Sequence, residues 1–573
     1  MTNSDIDIDD ALKPEALTTG RSVFLAFQGG GARGIAHVGG LSAVNNLNLT
    51  ISGVAGTSAG AIMAALVAAH YRADALFNPE ARTHLLQSVA NGRYQRATAL
   101  FGKDWSAIRT LRRAAGIGKA IAGWVKTSGL DLIWSQVWSQ RKGKAAVVAA
   151  GLVLALMVVW HVPRPALAVL LALLAGLGWV AIRYLKGLAS LREVRELVDV
   201  AIAEGLNIKS REITFEQMME HGGLPLKLVA TNVSGKSLEL FSVETTPTAV
   251  VADAVAASIC LPIVFQPWTF AFARRGQDEK VEQQFIDGGL VSNLPAWTFD
   301  EDRALQPDTV TVAFGLQPPR SAEDAKPNWF TAALQTVVAG PPEVHFRGID
   351  RMVHVPLESA ITVLDFDADL DTLGKDVEKA RSDATLQIKL HVTAVPEAVR
   401  QVLADLQEQL GGALREVFGL EAPGVDEPLF RIALAIQKPT DRKSLAIAYE
   451  VGHPVSQRGV RFGLAASDVG AAWQGNPRVS RVSDEQVYKD AVWTGYVPVY
   501  DREPLESDDG SLTPAPGEAA VVAVFDSARP LPARIWDDRD EFEDFWLQLS
   551  EAASEFLAQP DVGQYFRRSA AWV

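Results

Sequence analysis

Ile51-Ser52-Gly53-Val54-Ala55-Gly56-Thr57-Ser58-Ala59-Gly60 is the stretch on which the fold turns. An apolar, strand-like run leads into G-x-S-x-G, and an Ala- and Leu-rich helix follows through Ala69. Strand, tight turn, helix is the context of a nucleophile elbow. There the serine sits on a strained bend, so its neighbours must be small, as Gly56, Ala59 and Gly60 are. The bend exposes the Ser58 hydroxyl and directs a helix N-terminus at it. A serine that only caps the helix is the structural alternative.

Upstream, Val23-Phe24-Leu25-Ala26-Phe27 predicts a buried strand, and Ile35 to Asn45 predicts a helix. Between them stands Gly29-Gly30-Gly31-Ala32-Arg33-Gly34. Consecutive glycines let backbone N–H groups converge, and the following helix adds the positive end of its dipole. That makes an anion site, for a phosphate or an oxyanion. A Walker loop would need Gly-Lys-Ser/Thr, which is missing, and a dinucleotide fingerprint lacks its acidic ribose ligand near position 50. A tight strand-to-helix turn alone would use similar residues.

A serine nucleophile needs a base. The nine histidines offer no obvious partner, since His37 and His70 lie on helices where packing or surface roles suffice. A carboxylate is the alternative. Phe285-Ile286 is expected to end an apolar strand and leads into Asp287-Gly288-Gly289-Leu290-Val291-Ser292-Asn293-Leu294-Pro295. The two glycines hold Asp287 in a sharp turn with room close to the backbone. A plain Asp-Gly turn would look the same.

Together, GGGARG, GTSAG and DGGLVSNLP resemble the patatin-like phospholipases. Ala257-Ser258-Ile259-Cys260-Leu261-Pro262-Ile263-Val264-Phe265 is similar to that family's A-S-x-x-x-P-x-x-F block, and Leu228–Asn232 to the strand before its Asp motif. The resemblance covers residues 22–388. It implies a three-layer α/β/α hydrolase that cleaves acyl esters of phospholipids or other lipids. Ser58 would be the nucleophile and Asp287 its base, a Ser–Asp dyad without histidine. Gly30, Gly31 and Ala32 would line the oxyanion hole. Arg33 would orient the loop or attract anionic head groups, with Gly29, Gly34, Gly56, Gly60, Gly288 and Gly289 in support. No metal or cofactor is required. A catalytically silent lipid-binding regulator or scaffold, and acyl transfer to an acceptor other than water, stay open.

Composition bounds the rest. At 573 residues the chain is long enough for several domains. A net charge of −14 argues against nucleic acid as a partner. The single cysteine, Cys260, excludes an internal disulfide and a cysteine-ligated zinc site. Residues 1–21, with Asp5, Asp7, Asp9 and Asp10, are expected to be a disordered tail.

Within 86–200 the chain departs from the family. Basic residues from Arg93 to Lys144 face only Asp104 and Asp131. Ala145–Val162 and Pro165–Ile182 follow, both apolar, joined by Pro163-Arg164-Pro165. Each run would span about 27 Å as a helix, near the thickness of a bilayer core. A membrane hairpin over 145–182 is expected, with its basic flanks and the catalytic domain on the cytoplasmic side, against an anionic leaflet. A buried hairpin in a soluble body is the alternative.

Residues 389–573 predict a separate α+β module: a helix over 397–418, strands at 430–436 and 444–449, and a short helix over 463–473. Strands near 495–500 and 519–526 and a helix over 541–557 complete it. Their order is similar to GAF-like sensory domains, with Gly463–Trp473 as the segment covering the pocket. That resemblance implies a small-molecule ligand that controls the hydrolase; an unspecialised packing or dimerisation domain, with a dimer partner, is the alternative.

Overall fold

The computed structural model describes residues 21–94, 96–104, 106, 109, 187–262, 264–277, 279–306, 309–318, 349, 351–419, 428–438, 441–453, 461–465, 467–481, 491–499, 505–506, 512–513 and 521–558. The expected N-terminal tail (residue 21 apart) and hairpin 145–182 lie outside these residues, as does most of the basic stretch. Among the described residues, no helix is long and apolar enough to cross a membrane.

The longer elements of the first half are β1 (Ser22–Phe27), α1 (Ala36–Asn46), β2 (Thr50–Thr57), α2 (Ala59–Ala68), α3 (Arg192–Gly205), β3 (Leu226–Asn232) and β4 (Ser237–Phe241). They continue with α4 (Val251–Ile259), β5 (Trp268–Phe272), β6 (Val281–Ile286), β7 (Val310–Gln317), β8 (Met352–Glu358) and α5 (Leu370–His391). Their eight strands form one mixed sheet in the order β8-β7-β1-β2-β3-β6-β5, with β4 also paired to β3. The pairs from β8 to β3 are parallel, whereas β4, β5 and β6 join antiparallel. Parallel strands are covered on both faces, which is why β1 is an unbroken apolar run.

Alternation along β1 separates the two faces. Val23, Leu25 and Phe27 enter the main core with residues of α1 to α5. Phe24 and Ala26 face the other way, onto Phe299 and onto Leu294 and Ala296. Phe24 and Phe299 stack with centroids 4.5 Å apart. Among the described residues this second cover is a thin layer of turns and a short helix after Asp287. Helix α2 is apolar all round because it is buried between the sheet and its helical neighbours. The body built on this first sheet reaches into the expected insertion: α3 buries Val194, Leu197, Val198 and Ile202 in the main core. The departure from the body is therefore narrower than 86–200.

The second half contains α6 (Ala394–Val417), β9 (Arg431–Lys438), β10 (Asp441–Val451), β11 (Arg461–Gly463), α7 (Asp468–Trp473), β12 (Arg478–Ser480), β13 (Trp493–Val499), β14 (Val521–Ser527) and α8 (Arg539–Ala558). The strands form an antiparallel sheet in the order β11-β10-β9-β14-β13-β12. Leu403, Leu406, Leu410 and Leu414 of α6 pack with Phe545 and Leu549 of α8 on one face, over Leu434 and Phe525. The opposite face holds a smaller core with Trp473 of α7. The helix expected over 463–473 is shorter. Gly463 ends β11, and the Ser467 hydroxyl caps α7 by accepting the Gly470 N–H at 3.0 Å.

Candidate active site

Strand β2 delivers Ser58 into a turn with φ 53° and ψ −125°. A non-glycine residue there costs about 1–3 kcal/mol and persists only when its surroundings hold it. Those surroundings are tight. A Cβ on Gly56 would stand 2.1 Å from the Gly60 carbonyl oxygen, and one on Gly60 would stand 2.1 Å from that of Phe27. Only hydrogen fits at either position, so the elbow depends on both glycines.

Asp287 follows β6, which meets β3 through Thr231 and Ile286. Its backbone is fastened on both sides: its N–H donates to the Cys260 carbonyl at 3.0 Å, and its carbonyl accepts the Thr231 hydroxyl at 2.8 Å. One carboxylate oxygen accepts the Gly289 N–H at 2.8 Å. The other accepts the Ser58 hydroxyl at 2.7 Å. Residues 229 apart in sequence thus meet in a direct hydrogen bond. Asp287 is buried, and burial pushes its carboxyl up to about 6, against the pull of the Ser58 and Gly289 bonds.

The triple-glycine bend is pinned at several points. Gln28 donates its N–H to Phe314 and takes the Leu316 N–H on its side-chain oxygen, and Gly29 donates to the Asn293 carbonyl at 3.0 Å. Gly31 has φ +58°, and a Cβ there would lie 2.3 Å from the Val363 carbonyl oxygen. The same carbonyl accepts the Ala32 N–H at 2.9 Å. Ala32, expected among the oxyanion donors, has its amide engaged elsewhere. The amides of Gly30 and Gly31 have no acceptor among the described residues. Gly34 brings the bend against the elbow, where an added Cβ would meet that of Ala59 at 2.7 Å.

His37 stands apart from this chemistry. Its Nε2 bonds the Gln28 carbonyl at 2.8 Å, and complete burial lowers its pKa to about 4. It is therefore a neutral core histidine that braces the bend. His70 bonds the Gly222 carbonyl at 2.8 Å. Arg33 is desolvated, which holds its guanidinium below the ordinary arginine value. Its buried Nε makes no hydrogen bond among the described residues.

Ser58, Asp287, Arg33 and the glycine bend share a cavity of about 240 Å³. These groups and Asn293 form its polar end. Its remaining walls are mostly apolar, including Ile62, Leu100, Phe101, Leu191 and Phe366. Phe101 stacks on Phe265 at 5.6 Å and meets Phe366 edge-on at 5.1 Å. Such a cavity can present an ester carbonyl to Ser58 while an apolar chain leaves water. Among the described residues, no group of three or more His, Cys, Asp or Glu is placed to hold a metal ion.

Sequence reasoning passed over Thr231, Asn293 and Val363. The first two lie inside quoted motifs, but they act through backbone partners that a motif does not reveal. Val363 carries no signal, because its contribution is a carbonyl.

Residues 25–119 and 146–300 match the family model described as patatin-like phospholipase. Among curated proteins, no sequence matches the chain. Three solved structures are loosely similar in shape. VipD from Legionella pneumophila is 15% identical, over 70% of this chain and 77% of that one, with a TM-score of 0.30. ExoU in its complex with SpcU, from the type III secretion system of Pseudomonas aeruginosa, is 16% identical, over 71% of this chain and 65% of that one, at 0.25. The A. aeolicus nlh2 GAF domain in an inactive state is 17% identical, over 30% of this chain and 97% of that one, at 0.17.

Proposed function

Because this chain belongs, through residues 25–119 and 146–300, to the patatin-like phospholipases and is a serine acyl ester hydrolase, we propose that Ser58 and Asp287 are its catalytic dyad, acting on a fatty acyl ester of a membrane lipid. The hydroxyl of Ser58 attacks the acyl carbonyl while Asp287 takes its proton. The tetrahedral oxyanion forms against the amides of Gly30 and Gly31. Loss of one such donor typically costs about 3–4 kcal/mol of transition-state stabilisation. Asp287 returns the proton to the leaving alcohol, then takes one from the water that attacks the acyl group and passes it to the departing Ser58 oxygen. Arg33 offers its desolvated charge to an anionic head group.

The observation that supports this reading most is the 2.7 Å bond between Ser58 and Asp287 at the polar end of an apolar cavity. The strain at Ser58 adds to it, since a serine that only capped a helix would sit in extended backbone. We assign residues 22–388 to the hydrolase. The basic stretch and the apolar runs over 145–182 would hold it at an anionic lipid surface, a reading carried by their sequence. We assign residues 389–573 to a separate module that controls the hydrolase through a ligand or a second copy.

The test combines lipid hydrolysis with fluorophosphonate labelling of wild type, Ser58→Ala and Asp287→Ala. Both variants are expected to fold and to lose hydrolysis, with the label on Ser58 in wild type. His37→Ala retains substantial activity. Labelling elsewhere, or a folded Asp287→Ala with wild-type activity, would sink the dyad, and a protein that binds lipid without taking label would be a silent scaffold.

A further inference from the structure

Ser258 lies near the C-terminal end of α4 and is fully buried. Its hydroxyl oxygen accepts the backbone N–H of Ser58 at 2.9 Å and donates its own proton to the Val229 carbonyl at 2.6 Å. The position of this bridge matters. Thr57 of β2 and Val229 of β3 are ladder partners, and Ser58 is the next residue, where β2 leaves the sheet. At that point a backbone N–H would lose its ladder acceptor. The Ser258 side chain fills the gap as one additional rung.

The Val229 carbonyl is also a contact for the carboxylate's turn. A Cβ on Gly288 would lie 2.1 Å from it, so the residue after Asp287 is seated directly on the same oxygen. Two residues further along β3, the Thr231 hydroxyl holds the Asp287 carbonyl at 2.8 Å. Strand β3 is thus a common rail. Thr231 and Gly288 fix the carboxylate's backbone to it, and Ser258 fixes the backbone of Ser58.

We propose that Ser258 is a positioning residue that holds Ser58 in its strained turn at the spacing from β3 which keeps its hydroxyl on Asp287. The inference rests on Ser58 being the nucleophile. Without the hydroxyl, the Ser58 amide is left with no acceptor, and the turn is free to relax toward ordinary backbone. A shift of about 1 Å in a reacting group can cost roughly 10²-fold in rate. Substrate binding, which draws on Arg33 and the apolar walls, is untouched.

The experiment uses the full chain with Ser258→Ala, Ser258→Cys and Ser258→Thr. It measures kcat and KM on a p-nitrophenyl acyl ester, the rate of fluorophosphonate labelling, and folding by circular dichroism. Ala and Cys variants are expected to fold, to lose about 10²-fold in kcat with KM within about twofold, and to label correspondingly slowly. Ser258→Thr, which keeps the hydroxyl, recovers most of the rate. A folded Ala or Cys variant with wild-type kcat would overturn the proposal, as would a folded Thr variant no better than Ala. Failure of both Ala and Cys to fold would overturn it too, because the residue would then hold the fold rather than the elbow. Wild type that carries the label away from Ser58 removes the nucleophile reading itself. Label on Ser58 at the wild-type rate in every Ser258 variant removes only this inference.

Discussion

Replacing Asp287 by asparagine removes a buried charge while preserving the shape of the side chain. The carboxyl has a pKa of about 6 in the folded chain, against an ordinary 3.8. Each unit corresponds to about 1.4 kcal/mol, so ionised Asp287 costs the fold about 3 kcal/mol. The sign follows from proton counting. Below about pH 3 the group is protonated both folded and unfolded, and its environment makes no pH-dependent difference. As pH rises toward 6, the folded state retains a proton that the unfolded state has lost, so stability falls; above about pH 6 the loss is complete and constant. Asparagine cannot ionise, yet its oxygen still accepts the Gly289 N–H. Asp287→Asn should therefore match wild type near pH 3 and exceed its stability at pH 8 by up to about 3 kcal/mol, while turning over no substrate. Urea unfolding followed by circular dichroism at the two pH values measures the difference. Wild-type kcat/KM should carry an acid limb near pH 6, with about one-tenth of the base form remaining at pH 5. A variant less stable than wild type at pH 8, or a stability gap that ignores pH, would refute the assignment of a desolvated carboxylate.

Gly31→Ala meets two obstacles at once, a left-handed backbone and a Cβ 2.3 Å from the Val363 oxygen. It should cost about 1–3 kcal/mol in thermal unfolding and displace the oxyanion amides, lowering kcat more than KM. Phe101→Leu should deepen the apolar end of the cavity and shift the preference of the enzyme toward longer acyl chains, read from hydrolysis of p-nitrophenyl esters of graded length. An unaltered chain-length profile would mean that Phe101 does not bound the chain.

The strand–glycine–helix and strand–serine–helix units were legible because each is local, its apolar run and small residues adjacent in sequence. The same holds for Asp287, whose two following glycines mark a turn. The partnership between Ser58 and Asp287 was legible only through the resemblance, since nothing in either motif encodes a contact across 229 residues. The engagement of Ala32 was not legible, because the competing acceptor is a backbone carbonyl of Val363 in a segment without a motif. Strand β6 was misleading in the same way: it reads as apolar only at Phe285-Ile286, and Val281–Gln284 lean on pairing with β5 rather than on burial. In the C-terminal module the long amphipathic helix α6 and the strongly apolar strands stood out. The three-residue strands β11 and β12 did not, being too short for periodicity to register.

Two distant segments of the hydrolase body meet at a neck. Asp104 accepts the backbone N–H of Ser190 at 3.2 Å, across a sequence separation of 86 residues. Closing such a gap needs only a short bridge, and the entropy of closure changes slowly with the length of what lies between. A short linker therefore suffices to join Asp104 to Leu188 and Ala189, which are buried and both donate to the Val264 carbonyl. Leu100 and Phe101 precede the neck, Leu191 and Val194 follow it, and all four wall the cavity. A cassette exchanged at this point would adjoin the apolar end of the cavity directly.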